Sequence, residues 1–353
     1  MNSLSTVQDG SIGEVIDRCR RLVHPALRAV ADQLHPQTGL MVRYSFGWCG
    51  ADGIPHPDAR EGTGKGVRQV LAILSAEAVG GCGRDAVPAA VAAELVHAFS
   101  LVHDDIMDDD EQRRHRPTVW KAYGIGPAVL AGDVLLTLAV ETAALSPTDR
   151  SPQALRLLCG CLRALMHGQA EDMMFEERPW RGPGAVTAAE YRTMAMNKTG
   201  ALLGFSAGLG ALLAGGTPQH VKAFDAAGRE MGLAFQIMDD VLGIRGEPVR
   251  TGKPVGSDLR RRKKSLPVLK ALERGGSSAR RLADLFAGQE SLDDAQVAQA
   301  TELIESAGGP ALALGEGHAA LARAEEALAP FSLRPRARRE LAALAHYLIE
   351  RVR

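Results

Sequence analysis

Two acidic clusters, each at the end of an apolar run, are the parts of this sequence whose residue types and spacing suggest chemistry. In the first, Asp104 and Asp108 are four residues apart and would share one face of a helix, with Asp105 about 100° around it. Two like charges at this spacing repel each other, and Mg²⁺ would relieve the repulsion because it prefers carboxylate oxygens. The cluster predicts a metal site; the alternative is a solvated acidic helix end beside compensating arginines.

The second cluster repeats this arrangement later in the chain. Asp239 and Asp240 end another apolar segment, and Gln236 lies one turn earlier on the same side. Basic residues follow both clusters: Arg113 and Arg114 after the first, Lys253 and Lys263 after the second. Cations beside a metal site suit a doubly negative partner such as a diphosphate. The sequence therefore predicts two walls of one cavity that holds metal ions and phosphates.

The elements that must position these clusters are predicted to be helices. Aromatic residues are only 4% of the 353 residues, hydrophobic residues are 46%, and long segments show helical periodicity without clean strand alternation. We predict helices at roughly 12–34, 65–80, 86–109, 125–145, 151–175, 187–214, 218–243, 264–272, 278–287, 293–307, 309–328 and 334–352. The first cluster ends a helix that is apolar around most of its circumference, which indicates a central position.

This pattern indicates an all-α protein, a single large bundle of roughly ten or more helices around a central cavity. No boundary combines a long linker with a change of composition, so we predict one domain over residues 1–353. Residues 1–11 are predicted to be disordered. Residues 40–64, the least helical stretch, are predicted to form a long loop that enters the first functional segment.

Charge and composition argue against several other classes. The net charge is −1, so no overall field attracts nucleic acid or anionic lipid. No apolar run reaches about eighteen residues, and the N-terminus lacks the pattern of a signal peptide. The five cysteines show no zinc spacing, and their odd number argues against a disulfide framework. We therefore expect a cytoplasmic protein with no nucleic-acid partner and no integral membrane segment.

The segments around both clusters match a known family in order and spacing. The first reads SLVHDDIMD, followed by RR and PT, and contains the motif DDxxD as Asp104 to Asp108. The second reads FQIMDD, followed by TGKPVGSDL and KKSLP. DDxxD alone is weak, but the ordered set resembles the trans-isoprenyl diphosphate synthases, or polyprenyl synthetases, over roughly residues 60–350. The resemblance implies an all-helical, homodimeric prenyltransferase of isoprenoid biosynthesis.

The resemblance also implies roles for individual residues. The metal ligands would be Asp104, Asp108 and Asp239, supported by Asp105 and Asp240, and the metal would be about three magnesium ions, which manganese could replace. The residues that hold the diphosphate of isopentenyl diphosphate would be Lys65, Arg68, His97 and Arg114. The residues that contact the allylic diphosphate or guide the reaction would be Arg113, Lys198, Thr199, Gln236, Lys253 and Lys263. For Lys198 the alternative is a surface lysine whose stem packs along an apolar helix.

Three positions depart from the family pattern. Gly243 stands where the second motif usually has its fifth aspartate, Gln69 replaces a proline, and His115 replaces a glycine. Because the fifth aspartate is mostly an outer-sphere ligand in the family, we expect a modified metal site, not a lost one. The other two changes remove no phosphate contact and are expected to alter loop geometry at most.

The implied reaction is head-to-tail transfer of an allylic diphosphate (dimethylallyl, geranyl or farnesyl) onto isopentenyl diphosphate. In the family the floor of the elongation pocket is formed in part by the residues five and four positions before the first aspartate, here Phe99 and Ser100. One large ring, one small residue and no insertion in DDIMD resemble synthases of all-trans geranylgeranyl diphosphate. A helical wheel places Ser100 about 40° from Asp104 and Phe99 about 140° away, so Phe99 could instead fill core.

Other functions stay open at this point. The alternative product is farnesyl or a longer polyprenyl diphosphate. A class I terpene cyclase would share the fold and the first motif, but its NDxxSxxxE-like second motif is absent. A non-catalytic subunit of a heteromeric synthase would usually lose aspartates, whereas both clusters here keep their leading pairs. Turnover by the chain alone would separate the enzyme from the non-catalytic subunit.

Overall fold

The computed structural model describes residues 11–56, 66–145, 150–245, 256–288 and 291–350. Two predicted site residues, Lys65 and Lys253, lie outside the described residues, as does the predicted disordered start except for Ser11. The described helices, in chain order, are α1 Ile12–Asp32, α2 Pro36–Ser45, α3 Val67–Ala78, α4 Val87–Met107, α5 Val119–Tyr123, α6 Ile125–Ala144, α7 Ser151–Glu177, α8 Ala188–Ala195, α9 Ala201–Leu213, α10 Pro218–Arg245, α11 Ser257–Arg260, α12 Leu266–Glu273, α13 Gly276–Phe286, α14 Asp294–Ser306, α15 Gly309–Leu328 and α16 Pro335–Glu350.

The all-α prediction is confirmed, with small irregular elements added to it. A 3₁₀ turn at Gly83–Ala86 precedes α4, and a π-helical turn at Met196–Gly200 joins α8 to α9. The described residues also contain a two-stranded antiparallel hairpin of β1 (Gln112–Arg113) and β2 (Arg116–Pro117). Both the π turn and the hairpin carry predicted site residues.

The predicted loop over residues 40–64 is wrong at its start, because α2 covers residues 40–45. Pro36 opens this helix in its first turn, where a missing N–H costs nothing, and Nδ1 of His35 accepts the N–H of Gln37 at 3.4 Å. The end of that stretch, residues 57–64, lies outside the described part of the chain. The short helices α5 and α11 were also not predicted, because they are too short to show periodicity.

The bundle is organised around α9, whose residues are all buried. It is packed against α3, α4, α7 and α10, and α10 also packs against α15. The backbones of α9 and α10 approach closely at glycines: a Cβ added at Gly232 would stand 2.5 Å from Cα of Gly200, and one at Gly204 would stand 2.8 Å from the carbonyl oxygen of Asp225. This close packing holds the second acidic helix rigidly beside the π turn.

A smaller hydrophobic cluster flanks the main core at the end of α10. It joins Ile244 to Leu259, Phe286 and Ile304, which come from α10, α11, α13 and α14. This cluster anchors the segment between α11 and α12, which carries Lys263.

Within the part of the chain that the structure describes, two helical segments are long and apolar enough to cross a membrane by length and composition alone. The first is Gly83–Met107, and 61% of its most apolar window is buried inside the bundle; the second is Ile125–Ala144, with 33% buried. A core helix of a soluble protein has the same composition, so the first segment is explained by its central position. The second keeps an outward apolar face that includes Val129 and Leu130.

Candidate active site

The first wall of the site is the C-terminal end of α4. Asp104 is half-buried, Asp105 is buried, and Asp108 is the exposed residue that ends the helix. The side chains of Asp104 and Asp108 make no hydrogen bond or ion pair with any described residue. Burial, followed by the charge of Asp108, raises the pKa of Asp104 to about 6, although Lys198 opposes the shift. The pKa values of Asp104 and Asp108 are thus both raised, and the nearby charge of Lys198 only partly offsets burial and the repulsion between neighbouring carboxylates.

The hairpin after α4 brings the first arginines back over this wall. Arg113 holds Oδ1 of Asp105 with two nitrogens, Nε at 2.7 Å and Nη2 at 2.6 Å. The turn between the strands is formed by Arg114 and His115, with φ of 51° and 60°. Both angles lie in the left-handed region, where glycine is favoured. His115 therefore holds a backbone conformation in which glycine would not be strained.

The second wall is the C-terminal part of α10, and its two aspartates differ. Burial, followed by the charge of Asp240, raises the pKa of Asp239 to about 7. Asp240 is buried, and its Oδ2 accepts hydrogen bonds from the hydroxyl of Tyr191 at 2.5 Å and the N–H of Leu266 at 3.1 Å. Its Oδ1 accepts from Nε2 of Gln236 at 3.1 Å and lies 3.7 Å from Nζ of Lys263. Asp240 is therefore already saturated with donors.

The π turn supplies the polar groups between the two walls. Nζ of Lys198 lies 2.7 Å from Oδ2 of Asp172, and Oγ1 of Thr199 donates to Oε1 of Gln236 at 2.7 Å. Lys198 is thus paired inside the site, which argues against the surface-lysine alternative. Because a π turn inserts an extra residue into a helix, it re-aims side chains, and such turns are frequent at functional sites.

Asp172 of α7 was missed by the sequence analysis. Burial alone would raise its pKa, but the charges of Lys263 and Lys198 outweigh burial and lower it. Nothing in its local segment, HGQAEDMM, marks this residue, because the partner that gives it a role comes from another helix. A lysine in an otherwise apolar helix, as at Lys198, was the available signal that a buried acid lay nearby.

A basic pocket adjoins the second wall at the start of α3. Nε of Arg68 is buried with no hydrogen-bond partner, and the charge of Arg68 interacts with those of Glu94, Arg114 and Asp239. Burial, followed by the charges of Arg68 and Arg114, holds the pKa of His97 well below its usual value, so His97 is neutral. Glu94 was another residue that sequence analysis missed. A buried guanidinium with an unused N–H group fits an anionic ligand.

The two walls are connected through the π turn and the segment after α11. Arg261, from the segment after α11, forms an ion pair with Asp110, which lies just after the first motif. Lys198 interacts electrostatically with Asp104 and Asp108. The structure therefore connects the predicted acidic and basic residues that it describes, although they come from several different helices.

Position 243 lies against a neighbouring carboxylate. A Cβ added there would stand 2.4 Å from Oδ2 of Asp258, so the Asp258 side chain would have to move. Asp258 is the second residue of α11, and its charge interacts with those of Asp239, Asp240 and Lys263. A neighbouring carboxylate thus occupies the space beside α10 where a side chain at position 243 would begin.

The donor set fits magnesium bound together with a diphosphate. Within the described ranges, no three His, Cys, Asp or Glu side chains come together as a closed metal cage. Asp104, Asp108 and Asp239 instead offer hard carboxylate oxygens from two sides of one space. Mg²⁺ is usually bound in this way, by one or two carboxylates with substrate phosphates completing its shell.

The two predicted chain-length residues lie in different surroundings on α4. Phe99 is buried, and its ring lies edge-on to that of His103 at 4.9 Å between centroids. His103 in turn contacts the carbonyl oxygen of Val129 on α6 at 3.1 Å. Ser100 is half-buried, and its hydroxyl donates to the carbonyl of His97 at 3.0 Å. Phe99 is therefore buried against His103, which itself contacts α6, and the role of Phe99 in chain length stays a prediction.

Comparison with known proteins gives the family. The model of the family described as polyprenyl synthetase matches residues 58–304. A (2E,6E)-farnesyl diphosphate synthase of Mycobacterium tuberculosis is 43% identical over 340 residues, 96% of this chain and 92% of that protein. A geranylgeranyl diphosphate synthase of the same species is 39% identical over 313 residues, 88% of this chain and 85% of that protein.

A solved structure agrees in fold over almost the whole chain. The polyprenyl synthetase from Streptomyces coelicolor A3(2) superposes with a TM-score of 0.90 at 41% identity, covering 96% of this chain and 100% of that one. The chain therefore belongs to the polyprenyl synthetase family of trans-isoprenyl diphosphate synthases. It is a prenyltransferase that makes prenyl diphosphates, and its family depends on metal ions.

Proposed function

We propose that this enzyme condenses isopentenyl diphosphate with an allylic diphosphate in a magnesium-dependent reaction and releases mainly all-trans geranylgeranyl diphosphate. The observation that carries the proposal is the juxtaposition of two acidic walls with the basic pocket of Arg68, His97 and Arg114. The charge of Arg68 reaches Asp239 of the second wall, so a diphosphate held in the pocket would lie beside one held at the walls. Lys65 is assigned to the same pocket by the family motif.

The chain's own groups suit the two diphosphates differently. Asp104, Asp108 and Asp239 would hold the magnesium ions, which when bound stabilise the charge on a departing diphosphate. Lys198 and Arg113 would add positive charge at the same place, as would Lys263 and Lys253. In the pocket, neutral His97 can donate a hydrogen bond without adding a further positive charge beside Arg68 and Arg114.

Carbon–carbon bond formation then needs little from the protein beyond orientation of the two substrates and exclusion of water. The allylic carbon that loses the diphosphate becomes a cation, the double bond of isopentenyl diphosphate attacks it, and a proton leaves the new chain. The released diphosphate is the proposed acceptor of that proton. The apolar face of α4 would exclude water, which otherwise quenches the cation to an alcohol.

The direct test is product analysis with the purified chain. The chain should be incubated with isopentenyl diphosphate, magnesium and, in turn, dimethylallyl, geranyl or farnesyl diphosphate, and the products separated by chain length. We expect geranylgeranyl diphosphate from each primer and no turnover in excess chelator. Full activity with chelator would contradict the metal assignment, and no turnover with any primer would favour the non-catalytic subunit.

Farnesyl diphosphate is the second candidate product, because a farnesyl diphosphate synthase is more similar to this chain than the geranylgeranyl diphosphate synthase compared above. Phe99→Ala should open the floor of the pocket and lengthen the product, whereas Ser100→Phe should shorten it. Because Phe99 is buried against His103, whereas Ser100 is half-buried, we expect the larger change from Ser100→Phe. Unchanged products in both variants would place the stop on another helix.

Arg68 is proposed to serve isopentenyl diphosphate and not the allylic substrate. Arg68→Ala should therefore raise the KM for isopentenyl diphosphate more than the KM for the allylic primer. Arg84→Ala, which removes an exposed arginine elsewhere, is the matched control and should change neither constant. An equal rise in both KM values with Arg68→Ala would contradict the assignment.

We further propose one cooperative domain that works as a homodimer in the cytoplasm. The outward face of α6 exposes apolar side chains, among them Ile125 at 58% and Leu130 at 51%, and on the neighbouring α7 Met174 at 64%. A second copy that covers this face would remove a contiguous apolar patch from water. Leu130→Glu should convert the dimer to a monomer by light scattering; a wild-type monomer would contradict the proposal. All five cysteines are unpaired, as in a reducing compartment.

A further inference from the structure

Tyr191 is a fully buried polar residue that no motif of the sequence singled out. It lies on α8, before the π turn, and it is among the largest side chains that are fully buried in the described core. Its hydroxyl donates to Oδ2 of Asp240 at 2.5 Å. A phenylalanine would fill the same volume, so packing alone does not explain the hydroxyl.

The hydrogen bond of Tyr191 is the first link of a chain that returns to the π turn. Asp240 accepts from Gln236 through its other oxygen, at 3.1 Å, and Gln236 accepts from Thr199 at 2.7 Å. Tyr191 and Thr199 thus contact α10 at Asp240 and at Gln236, which lie one helical turn apart. The chain closes a circuit between α8, the π turn and α10, and Lys198 directly precedes Thr199 in that turn.

We propose that Tyr191 is a positioning residue that fixes the π turn against α10 and so aims Lys198 and Thr199 at the allylic diphosphate. Gln236 can present its Oε1 to Thr199 only while its Nε2 is held by Asp240. Asp240 in turn keeps that orientation because Tyr191 and the N–H of Leu266 hold its other oxygen. The residues of such a network depend on one another, so loss of one link loosens the others.

Only the kinetic test of this proposal rests on the proposed function. It compares the effect of Tyr191→Phe on the allylic site with its effect on the isopentenyl diphosphate site. Tyr191→Phe should lower kcat/KM for the allylic primer about tenfold, the loss expected for one hydrogen bond to a charged group. The KM for isopentenyl diphosphate should change less than about twofold, since Arg68 and His97 lie outside the circuit. In a Thr199→Ala background, Tyr191→Phe should have little further effect, because both act through one chain.

A second readout does not require activity. Amide hydrogen exchange in residues 196–200 should be faster in Tyr191→Phe than in the wild-type chain. The matched control is Ser206→Ala, which removes another buried hydroxyl, one that donates to the carbonyl of Leu202 inside α9. It should leave both the exchange in 196–200 and the two KM values unchanged. If the wild-type chain transfers no prenyl group, the proposed function fails, but the exchange experiment still decides the role of Tyr191.

Three results would overturn the positioning role. They are unchanged exchange in 196–200, equal effects on the two substrates, and additivity of Tyr191→Phe with Thr199→Ala. If Tyr191→Phe does not fold, Thr199→Val tests the chain from its other end. Faster exchange in 196–200 in that variant supports the circuit, and unchanged exchange rejects it.

Discussion

Asp105 and Asp240 are each the second aspartate of an acidic pair, and they are held in different ways. Asp105 is bound by one arginine, Arg113, whose side chain is 32% exposed and which belongs to a hairpin of two-residue strands. Asp240 receives donors from α8, from α10 and from the segment that leads into α12. The second aspartate of the first wall is therefore held by a nearby hairpin, whereas that of the second wall is held by groups from several separate segments.

The largest effects should come from the aspartates that face the space between the walls. Asp104→Asn and Asp239→Asn should each lower kcat by a factor on the order of 10²–10³, as expected when a group that stabilises transition-state charge is lost. Circular dichroism should show unchanged helicity in both variants. Asp109→Asn is the matched control, because Asp109 is exposed beside the motif and asparagine tolerates its φ of 52°. Near-normal turnover in Asp239→Asn would show that the second wall does not hold a metal ion needed for the reaction.

Substitution of the second aspartate of each pair should lower the free energy of unfolding by different amounts in the two walls. Asp240→Asn places an amide N–H₂ against donors and should lower the free energy of unfolding by about 1–3 kcal/mol. Asp105→Asn loses one ion pair, with an arginine that is 32% exposed, and should cost less, about 1 kcal/mol. Urea denaturation of both variants measures the difference. Equal losses would mean that the donors around Asp240 contribute no more than the single arginine at Asp105.

This difference also marks how far the sequence could predict the site. Helix periodicity and the two motifs identified the all-α fold, the helices that end in the walls, and the residues of the walls themselves. They could not identify Asp172, Glu94 or Tyr191, whose partners Lys198, Arg68 and Asp240 come from other helices. They also missed α2, where Pro36 and the cap at His35 act without an apolar stripe.

Position 243 offers a further test of the second wall. Gly243→Ala should lower the free energy of unfolding by about 1 kcal/mol, because the new Cβ would displace the Asp258 carboxylate, whose charge interacts with Lys263. The matched control is Gly315→Ala in α15, where nothing lies within 4 Å of an added Cβ. That change should stabilise the helix by about 0.5–1 kcal/mol. If Gly243→Ala were as stable as wild type, the Asp258 side chain would move aside at little cost.

The smallest expected effect lies in the hairpin of the first wall. His115 has a φ of 60° in a two-residue turn, between strands paired at Arg113 and Arg116. Such turns need positive φ at both central residues, and a residue with a Cβ is strained there by about 1 kcal/mol. His115→Gly should therefore stabilise the protein by about 0.5 kcal/mol, since glycine also gains freedom in the unfolded chain. Thermal unfolding measures the gain, and the KM of the allylic primer should not change because Arg113 keeps its hold on Asp105. His115→Ala removes the same imidazole but keeps the Cβ, so it should give no gain; equal stabilisation by alanine and glycine would show that the ring, and not the backbone, carries the strain.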